Sequence, residues 1–539
     1  MLDFVRGTAA GAVAVPAGGS PNSLQSRFLA RLLTGQGVFV FWLVFGIVHA
    51  VYRFSYSGTL ALDDSRASEL VQSFAWGYQA RQPPIYEWML WCLQQVLGTG
   101  ILSFLVLRFS LFAALGCAIY MATTHAVRDR RFAALASLSI CANYQIGWSF
   151  LESGTQSIVL SLTCFCTFDA IMRFASQRSL RHAAWLGFAV GAGFLSKHSY
   201  ALTLLGMTLA ALTLPKLRDR LYSRRLLLSA PIAFLIVSPY VIWLAQAHGD
   251  VVASSEDTLI TMHAPHLVRS MHGFGKLMVS LVTFSTPWII VMAVFAPAAF
   301  RRAPAAPPPT TAERLAGRTI GICVTLAAMG ILAIGATNIG ERYMYPLLIM
   351  GPLYMLARIE RCAGSETLIE RLGTFLVCSA AIVFVVRVFS VIDIRVMQPD
   401  PYHTLVAYDR LAEELKVRGL VEGSAFVPDV RIAGNLRAVL PGLRVITADS
   451  FRLQCPPARP ADSRVGFALW DSSDDDPRVT ALVPLSGQSR ERISIEGRHS
   501  ILGGRRVQTW TLVRLDANAL ACARCAPQPN EKICVSRKK

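Results

Sequence analysis

Gly37-Val-Phe-Val-Phe-Trp42-Leu-Val-Phe-Gly-Ile-Val-His49-Ala-Val-Tyr-Arg53-Phe-Ser-Tyr56 is followed, three residues later, by Leu60-Ala-Leu-Asp63-Asp64-Ser65-Arg66-Ala-Ser-Glu69-Leu70. The first stretch is apolar over the length that crosses about 30 Å of hydrocarbon at 1.5 Å per residue. The second is polar enough to leave the bilayer. A membrane helix that opens directly onto an acidic loop sets the terms for the rest of the chain.

Further apolar runs follow, giving eleven expected spans at about 37–56, 101–124, 132–148, 155–174, 183–196, 198–214, 226–247, 276–300, 319–337, 343–358 and 373–392. Only 16% of the residues are charged, against roughly 25% in soluble domains. The net charge of +18 has a topological reading, because cytoplasmic loops collect Lys and Arg. With the N-terminus inside, alternate loops hold eighteen Lys and Arg residues, including the groups Arg128–Arg131 and Lys216–Arg225, and the opposite loops hold seven. No zinc-finger spacing, RNA-binding signature or continuous basic stripe accompanies the charge, so nucleic acid is not an expected partner.

The expected organisation is a cytosolic tail over 1–36, a membrane domain over 37–392 with a first outer loop at 57–100, and an outer domain over 393–539. The Pro/Ala-rich stretch 303–311 reads as a cytoplasmic linker. In the outer domain, an amphipathic helix at about 402–418 precedes β-like runs at 424–430, 444–449, 463–470 and 506–515, which predict a small α/β unit. Cys455, Cys522, Cys525 and Cys534 lie there, where an oxidising compartment permits disulfides. His263, His266 and His272 read as loop histidines, and Asp474-Asp475-Asp476 as a solvated turn.

The chemistry concentrates in the first outer loop. The spacing from Ser65 to Ala75 suits an interfacial helix, and Pro83-Pro84 suits the start of a second. A carboxylate can take the proton from an attacking hydroxyl, and arginines can hold a phosphate bidentately. The same acids could equally cap a solvated helix. Lys197, between two apolar runs, is costly unless paired or hydrated and so suggests an anion site, with Glu152 as its expected partner. Arg108 and Arg387 lie toward the outer ends of apolar runs and read as snorkelling or packing residues.

Asp63-Asp64-Ser65-Arg66-x-x-Glu69 resembles the Asp-Glu-Thr-Arg-Tyr-x-Glu box of family 39-type glycosyltransferases, the group of protein mannosyltransferases and the ArnT and Rgt types. Gly77-Tyr78 with Pro83-Pro84, Leu151-Glu152-Ser153, Gly193-Phe-Leu-Ser-Lys197 and Glu341-Arg342-Tyr343-x-x-Pro346 are similar to further elements of that family, in the same order. The resemblance implies an α-helical polytopic membrane protein of GT-C type in the bacterial inner membrane. It implies inverting transfer from a polyprenyl-phosphate sugar to an envelope acceptor such as lipid A, lipopolysaccharide core or another glycolipid. Asp63 would be the general base, and Asp64 would support it or a divalent cation. Arg66, Arg81 and Lys197 would hold the donor phosphate, with Glu69, Glu152, Glu341, Arg342 and Tyr343 in support. Two positions depart from the pattern: Arg81-Gln82 stands where relatives carry His or Glu-Lys, and Asp64 replaces Glu. A lipid transporter or flippase is the alternative expectation; the ionisable groups collect at one surface and no internal duplication is visible, both of which favour the enzyme.

Overall fold

The computed structural model describes residues 24–247, 250–301, 306–392, 405–450, 452–472, 474–500 and 503–523. The tail before residue 24, part of the Pro/Ala-rich linker, Cys525 and Cys534 lie outside them. Helices of nine residues or more are numbered in chain order. They are α1 Leu24–Leu32, α2 Gly35–Tyr56, α3 Leu62–Leu70, α4 Ile85–Leu97, α5 Ile101–Thr123, α6 Arg130–Leu138, α7 Thr155–Gln177, α8 Leu180–Ser196 and α9 Tyr200–Leu212. There follow α10 Ser229–Gln246, α11 Val251–Leu259, α12 His266–Phe295, α13 Thr311–Ile334, α14 Gly351–Ala363 and α15 Glu366–Ile392, with α16 Tyr408–Val417 and α17 Val430–Val439 in the terminal domain.

Among the described residues, seven helices are long and apolar enough to cross a membrane, or eight if α9 and the short helix after it, bent by 107°, form one span. The remaining expected spans are helical but short or broken. The run at 132–148 becomes α6, a 3-10 turn and two four-residue helices, interrupted at Asn143, whose side chain caps Ile146 N–H at 3.3 Å. The run at 343–358 is likewise split before α14. These breaks lie among buried residues, where neighbouring protein rather than lipid satisfies the freed backbone groups. Hydropathy registers the apolar composition of such a run but not its breaks, hence the higher expected count. The tail also departs from expectation: residues 24–32 form α1, and Gln25 donates to Thr374 on α15 at 2.8 Å.

The bundle core is fixed by aromatic packing. Trp42 on α2 is fully buried, stacks edge-on against Phe112 on α5, and donates its indole N–H to Ser137 on α6 at 2.8 Å. At the arginine-rich end, ion pairs tie helices together, including Arg361–Glu313 at 2.9 Å and Arg131–Glu366 at 2.6 Å.

The terminal domain has a five-stranded sheet in the order β2-β1-β3-β5-β4, where β1 is Gly423–Val427, β2 Leu443–Thr447, β3 Gly466–Trp470, β4 Arg490–Ser500 and β5 Gly503–Arg514. Strands β2, β1 and β3 are parallel, β5 pairs antiparallel with β3, and β4 pairs antiparallel with β5. Alternation along β1 sends Ala425 and Val427 to the face packed by α16 and α17, and Phe426 to the opposite face. Strand β4 and helix α17 were not among the expected elements. Cys455 is disulfide-bonded.

Candidate active site

Helix α3 carries the acidic pair, and its nine residues present three faces. Asp64, Ala67 and Val71 are buried toward the bundle, with spacing i, i+3, i+7. Ser65, Ser68 and Gln72 bond to the terminal domain. Leu62, Asp63 and Arg66 remain on the partly exposed face. Both acids sit in the first turn, where the helix dipole favours negative charge.

The two aspartates therefore have different environments. Asp64 is 3% exposed and its carboxylate meets Arg108 Nη2 at 2.5 Å. Arg108 also donates to the Leu151 carbonyl at 3.2 Å. Arg387 reaches that same carbonyl at 3.3 Å from the other side, while its Nε pairs with Glu152 at 2.7 Å and its Nη1 contacts His49 Nδ1 at 3.0 Å. One carbonyl at the broken segment before α7 thus joins two ion pairs drawn from α3, α5 and α15. Arg108 and Arg387 are structural partners of acids rather than snorkelling residues. Glu152 binds Arg387 instead of the expected Lys197. Asp64 pairs with Arg108 through Oδ1. Among the described residues no group of three or more His, Cys, Asp or Glu side chains converges as a metal site.

Asp63 faces a different set. Burial lowers the Lys197 ammonium pKa, Asp63 offsets this, and Arg342 and Arg81 add to it. Burial likewise lowers Arg66, with Asp63 offsetting and Arg81 opposing its charge. Tyr343 is pushed up by burial, with Arg81 acting against that rise. Asp63, Arg66, Arg81, Lys197, Arg342 and Tyr343 hence share one electrostatic neighbourhood, although they come from four separated stretches. Lys197 Nζ lies 3.4 Å from Ser157 Oγ at the start of α7. Glu341 accepts from Gln145. Glu69 is buried and accepts from Ser450 at 3.2 Å; its burial raises its pKa, and the charges of Arg452, Arg437 and Arg66 act against that rise.

Gly77 of the Gly77-Tyr78 element has a steric reason. A Cβ there would lie 2.1 Å from the Trp243 ring, which closes over the loop from α10. Tyr78 in turn accepts Leu453 N–H through its carbonyl at 3.0 Å.

Glu87 went unnoticed in the sequence although a signal exists: it shares the apolar face of α4 with Leu90 and Gln94, at i, i+3 and i+7. Its carboxyl is 1% exposed and accepts from Gln156 Nε2 at 2.5 Å, leaving Oε2 without a partner. Burial pushes its pKa up to about 7. The fold therefore holds a proton that the unfolded chain releases near 4.5. Stability conferred by that proton is present at low pH and lost as pH rises to about 7, by up to about 3 kcal/mol. Unfolding midpoints measured from pH 5 to pH 8 should fall in the wild type, and Glu87→Gln should flatten the profile. An equal slope in both proteins would contradict the assignment.

The sequence profile of the family described as dolichyl-phosphate-mannose-protein mannosyltransferase matches residues 81–243, a stretch that begins after Asp63. The fold is shared with ArnT from Cupriavidus metallidurans bound to undecaprenyl phosphate, with a TM-score of 0.54 and 12% identity over 88% of this chain and 97% of that one. The chain is a multi-span membrane protein with the fold of ArnT, and over residues 81–243 it matches a glycosyltransferase family. In sequence it is similar to the lipopolysaccharide core galacturonosyltransferase RgtB of Rhizobium johnstonii, 26% identical over 76% of this chain and 83% of that protein. It is also 25% identical to RgtA of the same organism, over 75% of this chain and 80% of that one.

Proposed function

We propose that the protein transfers a sugar from a polyprenyl-phosphate carrier to a glycolipid acceptor of the bacterial envelope, on the outer side of the inner membrane, with the α/β domain on that side. The observation that carries this reading is the separation of the two aspartates. Asp64 is neutralised by Arg108, while Asp63 interacts with the charges of Arg66 and Lys197, which lie in turn near Arg81 and, for Lys197, Arg342. One carboxylate among several cations leaves a surplus of positive charge, which suits a departing lipid phosphate. Asp63 would take the proton of the acceptor hydroxyl as it attacks the anomeric carbon, and the carrier phosphate would leave on the opposite face with inversion. The charge surplus also suits a carboxylate on the sugar. Together with the similarity to RgtB and RgtA, this makes a uronic acid the first sugar to test and lipopolysaccharide core the first acceptor.

The test is transfer by the purified full-length protein from a panel of polyprenyl-phosphate sugars, with and without a chelator, alongside soluble nucleotide sugars. The expected result is turnover with the lipid-linked donors and a uronosyl donor among the best. Equal turnover with nucleotide sugars would overturn the donor class.

A further inference from the structure

Helix α3 is nine residues long, and isolated helices of that length are unstable in water. Its N-cap position is Ala61, which makes no side-chain cap bond. The chain entering the helix is held instead from far along the sequence. Asn435 on α17 accepts Leu60 N–H through Oδ1 at 2.7 Å, and its Nδ2 donates to Ser65 Oγ at 3.0 Å and to the Leu60 carbonyl at 3.3 Å. The other end is held in the same way. Arg452 donates to the carbonyls of Glu69 at 3.1 Å and Leu70 at 2.7 Å, and Arg437 donates to that of Val71 at 2.8 Å. Beyond the helix, the Gln72 amide extends the sheet edge: Val445 N–H donates to its Oε1 at 2.8 Å and its Nε2 donates to the Val445 carbonyl at 2.9 Å.

Between these ends the two helices touch backbone to backbone. A Cβ on Gly434 would stand 2.0 Å from the Ser65 carbonyl oxygen, so only glycine permits the approach, and Ser68 Oγ donates to the Gly434 carbonyl at 2.9 Å. None of these bonds is made to the side chain of Asp63.

We infer that the terminal α/β domain is the clamp that sets the position of the Asp63 helix, and that Asn435 is a positioning residue for the transfer reaction. This rests on the proposed function for its kinetic consequence but not for its structural one. Asn435 touches neither Asp63 nor the cationic cluster, so its loss displaces the base without removing it. A displacement of about 1 Å at a reacting group can cost on the order of a hundredfold in rate.

The experiment compares the full-length wild type with Asn435→Ala by hydrogen exchange and by steady-state transfer from a polyprenyl-phosphate sugar in the same preparation. Exchange at residues 62–70 should rise about tenfold or more while the long spans exchange as in the wild type. In the same samples kcat should fall about tenfold or more, with donor KM within about twofold. Unchanged exchange at 62–70 would overturn the clamp. Raised exchange with unchanged kcat would overturn the positioning role. If Asn435→Ala does not fold, Gln72→Ala breaks the sheet-edge pair and the Gln72 bond to the Glu69 carbonyl, and is read by the same two measurements. A wild type inactive with every donor would sink the proposed function, while the exchange result would still decide the clamp.

Discussion

Asp63→Asn should lower the turnover number by about two to four orders of magnitude, the usual contribution of a positioned general base. Asparagine keeps the size and shape of the side chain and can still accept a hydrogen bond, but it cannot take the acceptor proton. Because Asp63 is partly exposed and outside the Arg108 pair, the substitution leaves that buried ion pair intact. Unfolding midpoints should therefore match the wild type. Removing a negative charge from among Arg66, Arg81 and Lys197 should keep or tighten binding of the anionic donor. The diagnostic pattern is a collapsed kcat with donor affinity preserved. Turnover close to wild type would exclude Asp63 as the base. The matching substitution at the second acid, Asp64→Asn, should behave differently, losing stability because it leaves Arg108 charged and unneutralised.

The largest stability effect is expected at that pair. Arg108 is 2% exposed and Asp64 3% exposed, so each charge is tolerated only because of the other. Arg108→Leu strands a carboxylate in the bundle and should cost about 3–5 kcal/mol, the range for breaking a buried ion pair from one side. The double substitution Arg108→Leu with Asp64→Leu removes both charges and should recover most of that loss, since an apolar pair of similar volume is often neutral. Unfolding of all four proteins in one detergent forms a double-mutant cycle. A coupling energy near zero would show that the pair does not hold the helix. The double variant also separates stability from catalysis: it should fold, yet α3 would have lost its anchor into the bundle, so transfer should stay low.

The apolar runs made most of the bundle legible, since a stretch such as 101–124 differs from its helix, Ile101–Thr123, by a single residue. The acidic box was legible as a candidate site because Asp63, Asp64 and Arg66 follow the first span so closely. The partners were not. Arg108 and Arg387 stand inside apolar runs, and periodicity cannot say which helix faces which acid. The Glu152–Lys197 pairing, drawn from position along the chain, failed because a break in the backbone before α7 turns Glu152 toward α15. In the terminal domain, β4 was hidden by its charges: Arg490, Glu491, Arg492 and Glu496 mask the alternation of Ile493 and Ile495, both buried. Helix α17 did carry a readable signal, with Asp429 as N-cap before Val430, Ala433 and Leu436.

The Asn435 bond to Leu60 spans 375 positions. At roughly 5–20 residues per second, a ribosome needs on the order of half a minute to make that much chain. During this interval the membrane helices are inserted while α3 lacks its bonds to the terminal domain. The order of synthesis thus delivers a lipid-accommodating bundle first and a competent base last. Premature termination before residue 435 should yield an inserted protein without transfer activity, which assays of membranes carrying the truncated chain would check.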